Sequence, residues 1–172
     1  MGLARQIPMS KKHWAALAAG SAIVVCPMVP YGLWQGLTTA ALGLSPKSND
    51  VLVSLAAEGD VVGVWRLLDR GIDVNATDSA GCSALVAAAT ADQADMVTWL
   101  LRHGARVDRP ACGGDTALDR AAMGGNEAIV KGLLAAHADP SIRNGRGFRA
   151  ADLAWGAHHE SVADIIDHAS SK

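Results

Sequence analysis

The chain keeps a beat of 33 residues. Gly81, Gly114 and Gly147 are spaced at 33, as are Leu52, Leu85 and Leu118, and Asp60, Gln93 and Asn126. The pairs Leu67–Leu68, Leu100–Leu101 and Leu133–Leu134 keep the same step. A fixed period of about 20–50 residues marks stacked supersecondary units, none of which buries its apolar face alone. Composition says what the units are made of. Hydrophobic residues are 50% of the chain but aromatics only 4%. That suits Ala/Leu/Val helices better than a sandwich or barrel, which draws on β-branched and aromatic residues.

Each beat repeats the same parts. The second unit reads Gly81-Cys-Ser-Ala-Leu85, then Ala87-Ala-Ala89, then Trp99-Leu-Leu101 and Gly104-Ala105. The third reads Gly114-Asp-Thr-Ala-Leu118, then Ala121-Ala122, then Leu133-Leu134. A glycine at a tight turn permits positive φ. Paired alanines let two helices approach, and the Leu-Leu pair closes the core against the next unit. Gly71 and Gly104 stand where a helix C-cap takes the left-handed conformation.

In these motifs the chain resembles the ankyrin repeat family. The resemblance covers about residues 49–168, as a first unit lacking its hairpin (49–77), two full units (78–110 and 111–143) and a degenerate last unit (144–168). It implies an all-α ankyrin repeat solenoid of about four helix-turn-helix units. Some family positions are altered. The Thr-Pro-Leu-His signature becomes Ser83-Ala-Leu-Val86, Thr116-Ala-Leu-Asp119 and Arg149-Ala-Ala-Asp152. His137 replaces a capping glycine, and Asp92 replaces the glycine between the helices. In the last unit Ile165 and Ile166 are read as replacing Leu-Leu, and Trp155 as filling space left by weak packing. Trp65 lies off the consensus face and is read as capping the first end of the stack or facing a membrane.

Charge is divided. All 17 acidic residues lie from Asp50 onward, whereas residues 1–48 carry only Arg5, Lys11, Lys12 and Lys47. Residues 49–172 therefore hold 11 basic against 17 acidic residues. Such an acidic array is a poor ligand for nucleic acid, whose phosphates require Lys/Arg neutralisation.

From His13 to Pro46 there is no charged side chain. As a helix, the 21 residues Trp14–Trp34 would measure about 32 Å, matching a bilayer core of about 30 Å. Trp14 at one end, and Tyr31 and Trp34 at the other, stand where interfacial aromatics belong. The domain reading is a basic cytoplasmic N-terminus (1–12), a transmembrane anchor (13–35), a linker (36–48), the repeats (49–168) and a tail (169–172). By the positive-inside rule the N-terminus is cytoplasmic and the array is exported, to the periplasm in a bacterium, which makes this an inner-membrane, single-pass protein. Pro27 and Pro30 either kink this helix or end it near Cys26. The rival is a cleaved signal peptide with its apolar core at Trp14–Val25, although Thr38-Thr-Ala40 lies far beyond that core.

The resemblance also places a binding surface, on the hairpin tips and the exposed face of the first helix in each unit. Those positions are Ser79, Ala80, Cys82, Thr90 and Ala91 in the second unit. They are Cys112, Gly113, Asp115, Met123 and Gly124 in the third, and Gly145, Arg146, Phe148, Gly156 and Ala157 in the fourth. Arg146 and Phe148 are the strongest anchors, since interface hot spots favour aromatics and arginine; the alternative for Phe148 is that it caps the end of the stack. Arg143, Arg146 and Arg149 are read as a solvated loop, the alternative being contact with a carboxylate or a lipid phosphate. Cys82 and Cys112 fall on adjacent tips and could pair in an oxidising compartment. A helix-like finger spacing near 10 Å argues against the bond, which needs Cα atoms within about 7 Å.

His158, His159 and His168 suggest a metal site, but adjacent helical histidines point about 100° apart, which follows from 3.6 residues per turn. His159 also falls where the family keeps a helix-initiating residue. No Cys-x-x-Cys, catalytic triad, phosphate loop or carboxylate pair emerges, so neither catalysis nor a cofactor or metal is expected. The expectation is a membrane-anchored adaptor for protein partners, an accessory subunit of a larger membrane complex. The alternative is a cleaved-signal periplasmic binding protein, which the resemblance links to oxidative-stress defence.

Overall fold

The computed structural model describes residues 47–171, apart from the side chains of Lys47 and Cys112. Eight α-helices run as four pairs: α1 (Lys47–Glu58) with α2 (Val61–Asp69), α3 (Ala84–Thr90) with α4 (Ala94–Arg102), α5 (Ala117–Gly124) with α6 (Glu127–Ala135), and α7 (Ala150–Gly156) with α8 (Glu160–Ser170). The described residues contain no extended strand, only isolated antiparallel bridges at Thr77–Ser83 and Arg143–Arg149. First helices stack in the order α1, α3, α5, α7, and second helices in the order α4, α6, α8. The result is the helical solenoid that the period implies.

The core follows the beat. Leu52, Leu85 and Leu118 are buried, as are Val64, Val97 and Val130, and Leu100, Leu133 and Ile166. Between stacked first helices lie Ala56, Ala89 and Ala122, small enough for close approach. Full burial of each Leu or Ile contributes about 1.5–3 kcal/mol.

Turns between paired helices show why those positions are constrained. Gly59, Asp92, Gly125 and His158 all take positive φ, at +77°, 62°, +73° and 63°. The first residue of the next unit's second-helix cap folds onto the preceding turn. A Cβ on Gly59 would meet Gln93 Oε1 at 2.6 Å, and one on Gly125 would meet the His159 ring at 2.6 Å. At the third such junction Asn126 Nδ2 donates to Asp92 Oδ1. His159 thus serves at a structural joint. His137, in place of the capping glycine, takes φ 63°.

Four readings from the sequence are corrected. Lys47 and Ser48, read as the end of a linker, already belong to α1. Ile165–Ile166 is out of step with the leucine pairs by one residue: Ile166 takes the buried Leu100 and Leu133 position, and half-buried Ile165 takes that of Trp99. Trp155 fills no internal gap, being 47% exposed. At its register Ala89 and Ala122 are covered by the next first helix, and no further first helix is described after α7. Trp65 is 52% exposed on the outer side of α2, so it caps none of the described stack.

Trp14, Tyr31, Trp34 and the whole span read as a membrane anchor lie outside the described residues. Among those described, no helix is long and apolar enough to cross a membrane.

Candidate functional site

Between helix pairs the chain makes a finger whose base is pinned in register. Asp78 N donates to Cys82 O at 3.0 Å, Ala111 N to Asp115 O at 2.9 Å, and Asn144 N to Phe148 O at 2.9 Å. Adjacent fingers are also tied together. Asn75 Oδ1 accepts from Arg106 N (2.8 Å), and one period on Asp108 Oδ1 accepts from Asp139 N (3.0 Å). Asp50 Oδ1 holds Ser79 N at 2.8 Å.

Tips approach more closely than helices do. A Cβ on Gly114, whose φ is +78°, would lie 2.8 Å from Gly145 N. Backbone contact, rather than helix diameter, sets this spacing. Cys82 is disulfide-bonded.

A side chain inside the turn fixes two of the tips. Asp78 Oδ1 accepts from Ala80 N (2.9 Å) and Cys82 N (2.8 Å). In the fourth finger Asn144 Oδ1 accepts from Arg146 N and Phe148 N, both at 3.0 Å. Asn144 is only 5% exposed, and its Nδ2 donates to Asp115 Oδ1 at 2.8 Å. Asp115 is in turn paired with Arg120 Nη2 at 3.1 Å. The relay Arg120–Asp115–Asn144 thereby holds the backbone beneath Arg146 and Phe148. Asx residues three before the turn glycine, at Asp78–Gly81 and Asn144–Gly147, were the sequence signal for this pinning. The partnership of Asn144 with Asp115 had no such signal.

Most of the expected surface is exposed. Ser79, Ala80, Thr90, Ala91, Gly113, Met123, Gly124, Gly145, Arg146, Phe148 and Gly156 face solvent. Cys82 and Ala157 are half-buried, and the side chain of Cys112 lies outside those described. Asp115 is the correction: at 4% exposure, and held by Arg120 and Asn144, it is not a contact residue. A partner cannot reach a carboxylate that already bonds its neighbours from below. Thr90 Oγ1 donates to Val86 O at 2.8 Å.

The three finger arginines have different duties. Arg143 Nη1 donates to Gly147 O at 2.8 Å, and Arg149 Nη2 pairs with Asp152 Oδ1 at 3.0 Å. The guanidinium of Arg146 makes no hydrogen bond or ion pair among the described residues.

The titration of nearby groups fits structural use. Burial pushes the Asp119 carboxyl up, against the lowering effect of its hydrogen bonds from Thr116. The Arg149 guanidinium holds the Asp152 carboxyl below its usual range. Hydrogen bonds from Ser141 do the same for Asp139. Among the described residues no group of three or more His, Cys, Asp or Glu side chains is placed to hold a metal ion.

Comparison with known proteins agrees with the stack and its fingers. The family described as ankyrin repeats, in three copies, matches residues 52–144. The chain belongs to the ankyrin repeat family, whose repeats are protein–protein interaction modules. It is 32% identical over 149 residues to zygote-specific protein 3 of Chlamydomonas reinhardtii, an alignment covering 87% of this chain and 38% of that protein. It is 30% identical over 128 residues to an ankyrin repeat-containing protein of Treponema pallidum, covering 73% of this chain and 43% of that protein. It is also 30% identical over 122 residues to the mouse B-cell lymphoma 3 protein homolog, covering 69% and 27%. The chain spans less than half the length of these relatives. The match to the repeats ends at Asn144, yet α7 and α8 continue the same architecture.

Proposed function

We propose that this protein is a bacterial membrane-anchored ankyrin adaptor, a non-enzymatic accessory subunit of a larger membrane assembly. Residues 13–35 enter the inner membrane with the N-terminus in the cytoplasm, and the repeats bind a soluble portion of the assembly in the periplasm. The observation that carries the recognition role is the fourth finger, where Arg146 and half-exposed Phe148 stand on a pinned backbone with no structural duty of their own. Ser79, Ala80, Thr90 and Met123 extend that surface along the stack. The anchor rests on the uncharged run from His13 to Pro46. The disulfide at Cys82 suits an oxidising compartment.

Crosslinking in intact bacterial membranes, followed by purification in mild detergent, tests this reading. The expected result is stoichiometric recovery with integral membrane subunits, crosslinked through the fingers. Recovery solely as a free monomer would overturn it. Mass analysis of the mature N-terminus separates it from the second reading, a periplasmic binding protein released from its signal and linked to oxidative-stress defence, which the same disulfide favours.

A further inference from the structure

Among the described fingers, the fourth departs from the acidic character of the array. Residues 143–149 hold three arginines and no carboxylate. Arg149 is neutralised by Asp152, and neighbouring Arg120 by Asp115. The Asp152 carboxylate also acts electrostatically on Arg143, whereas Arg146 makes no ion pair among the described residues, so the tip keeps an unpaired positive charge at Arg146. Phe148, 49% exposed, stands between Arg146 and Arg149 in sequence. Its register position is covered in the third finger, where Asp115 lies beneath Asn144.

We infer that this tip docks an acidic segment of a partner protein, with a partner carboxylate on Arg146 and a partner apolar pocket over Phe148. The inference rests on the recognition role proposed above and names the chemistry of its partner. Three observations support it. Arg146 is a charged fork without an internal acceptor, suited to bidentate carboxylate binding. The Asn144 side chain accepts from both anchor residues' backbone N–H groups, so their spacing is set before binding and less ordering entropy is lost. The charge is also local. At physiological salt it acts over about 8 Å, so a short acidic segment meets only the tip. An extended anionic surface such as a bilayer would meet the net negative charge of the whole array as well.

The test is selection of 12-residue peptides from a random displayed library against the full-length chain in detergent. Selected peptides are expected to pair Asp or Glu with a nearby Leu, Ile or Phe. A synthetic copy of the most enriched sequence should then be titrated by fluorescence anisotropy. Arg146→Glu should weaken it about 10- to 100-fold, the range set by one charge-assisted hydrogen-bond pair. Phe148→Ala should weaken it by a similar factor, and raising salt should weaken wild type more than Arg146→Glu. Asn144→Ala keeps both anchors but frees the turn. It should lower affinity while thermal melting shows the protein still folded.

Selection of neutral or basic peptides, or of none, would overturn the inference. So would equal binding by Arg146→Glu and wild type, binding that maps to Thr90 and Met123, or preferential binding to vesicles of 30% phosphatidylserine in phosphatidylcholine. Concentration-dependent self-association abolished by Phe148→Ala would assign the tip to a second copy instead. Binding mapped to Thr90 and Met123 would leave the wider recognition role standing.

Discussion

The third and fourth units place the same register positions in opposite environments. Position by position, Asp115 answers to Phe148, Ala122 to Trp155 and Leu133 to Ile166. Asp115 and Ala122 are 4% and 0% exposed, whereas Phe148 and Trp155 are 49% and 47% exposed. Leu133 and Ile166 are both fully buried. The difference lies in what comes next. The fourth finger and α7 cover the third unit, while no described element covers the fourth. A position that faces its own pair of helices is buried in either unit; one that faces the following unit is buried only where a following unit exists.

The sharpest way to break this comparison is at the leucine row. Leu133→Ala should cost about 2–5 kcal/mol, the range for a truncated core side chain, measured by urea unfolding. Trp155→Ala, on the uncovered end, should cost less than about 1 kcal/mol. Equal losses would mean that α7 is covered in solution.

The next contrast is between the turn glycines. Gly114→Ala sets a Cβ against Gly145 N at 2.8 Å, while a Cβ on Gly147 meets nothing within 4 Å. Both have positive φ, so Gly147→Ala should lose about 1–2 kcal/mol from conformation alone. Gly114→Ala should lose more, since the tips must also separate. Asp115→Ala should cost about 1–3 kcal/mol, by leaving Arg120 and Asn144 without their acceptor. At the same register Phe148→Ala should leave the melting temperature nearly unchanged.

His158→Gly should stabilise by about 1 kcal/mol, because a non-glycine residue there holds φ 63°. The smallest effect is one of pH. Asp119 has a raised folded carboxyl pKa, so its contribution is fully present below the usual 3.8 and is lost as pH rises through the folded value. Asp152, and likewise exposed Asp139, are lowered, so their contributions are present above the usual 3.8 and lost as pH falls through the folded values. Melting curves of Asp119→Asn should therefore show a steeper rise in stability with pH through the region just above 3.8 than wild type.

Much of this architecture was legible because the period is a property of the chain. Glycines in step located the turns, and leucines in step located the core rows. Departures were legible where one residue type has one physical use: His137 and Asp92 stand at glycine positions and take positive φ there. Ile165–Ile166 misled because the eye matches a dipeptide, whereas burial follows the count from Leu133. Asp115 misled because the family register makes it a tip residue. Its burial needs Asn144, 29 residues later, and Arg120 on α5.

By itself, then, the sequence determined the repeating unit, the helix pairing and the acidic character of the array, since each is written in local order and composition. Only the tertiary structure decided which finger residues are left for a partner. It buried Asp115, bonded Cys82, paired Arg149 and left Arg146 and Phe148 outward. Those outcomes depend on which neighbouring unit lies against each position, and proximity across a stack is set by the packing of helices rather than by the residue itself.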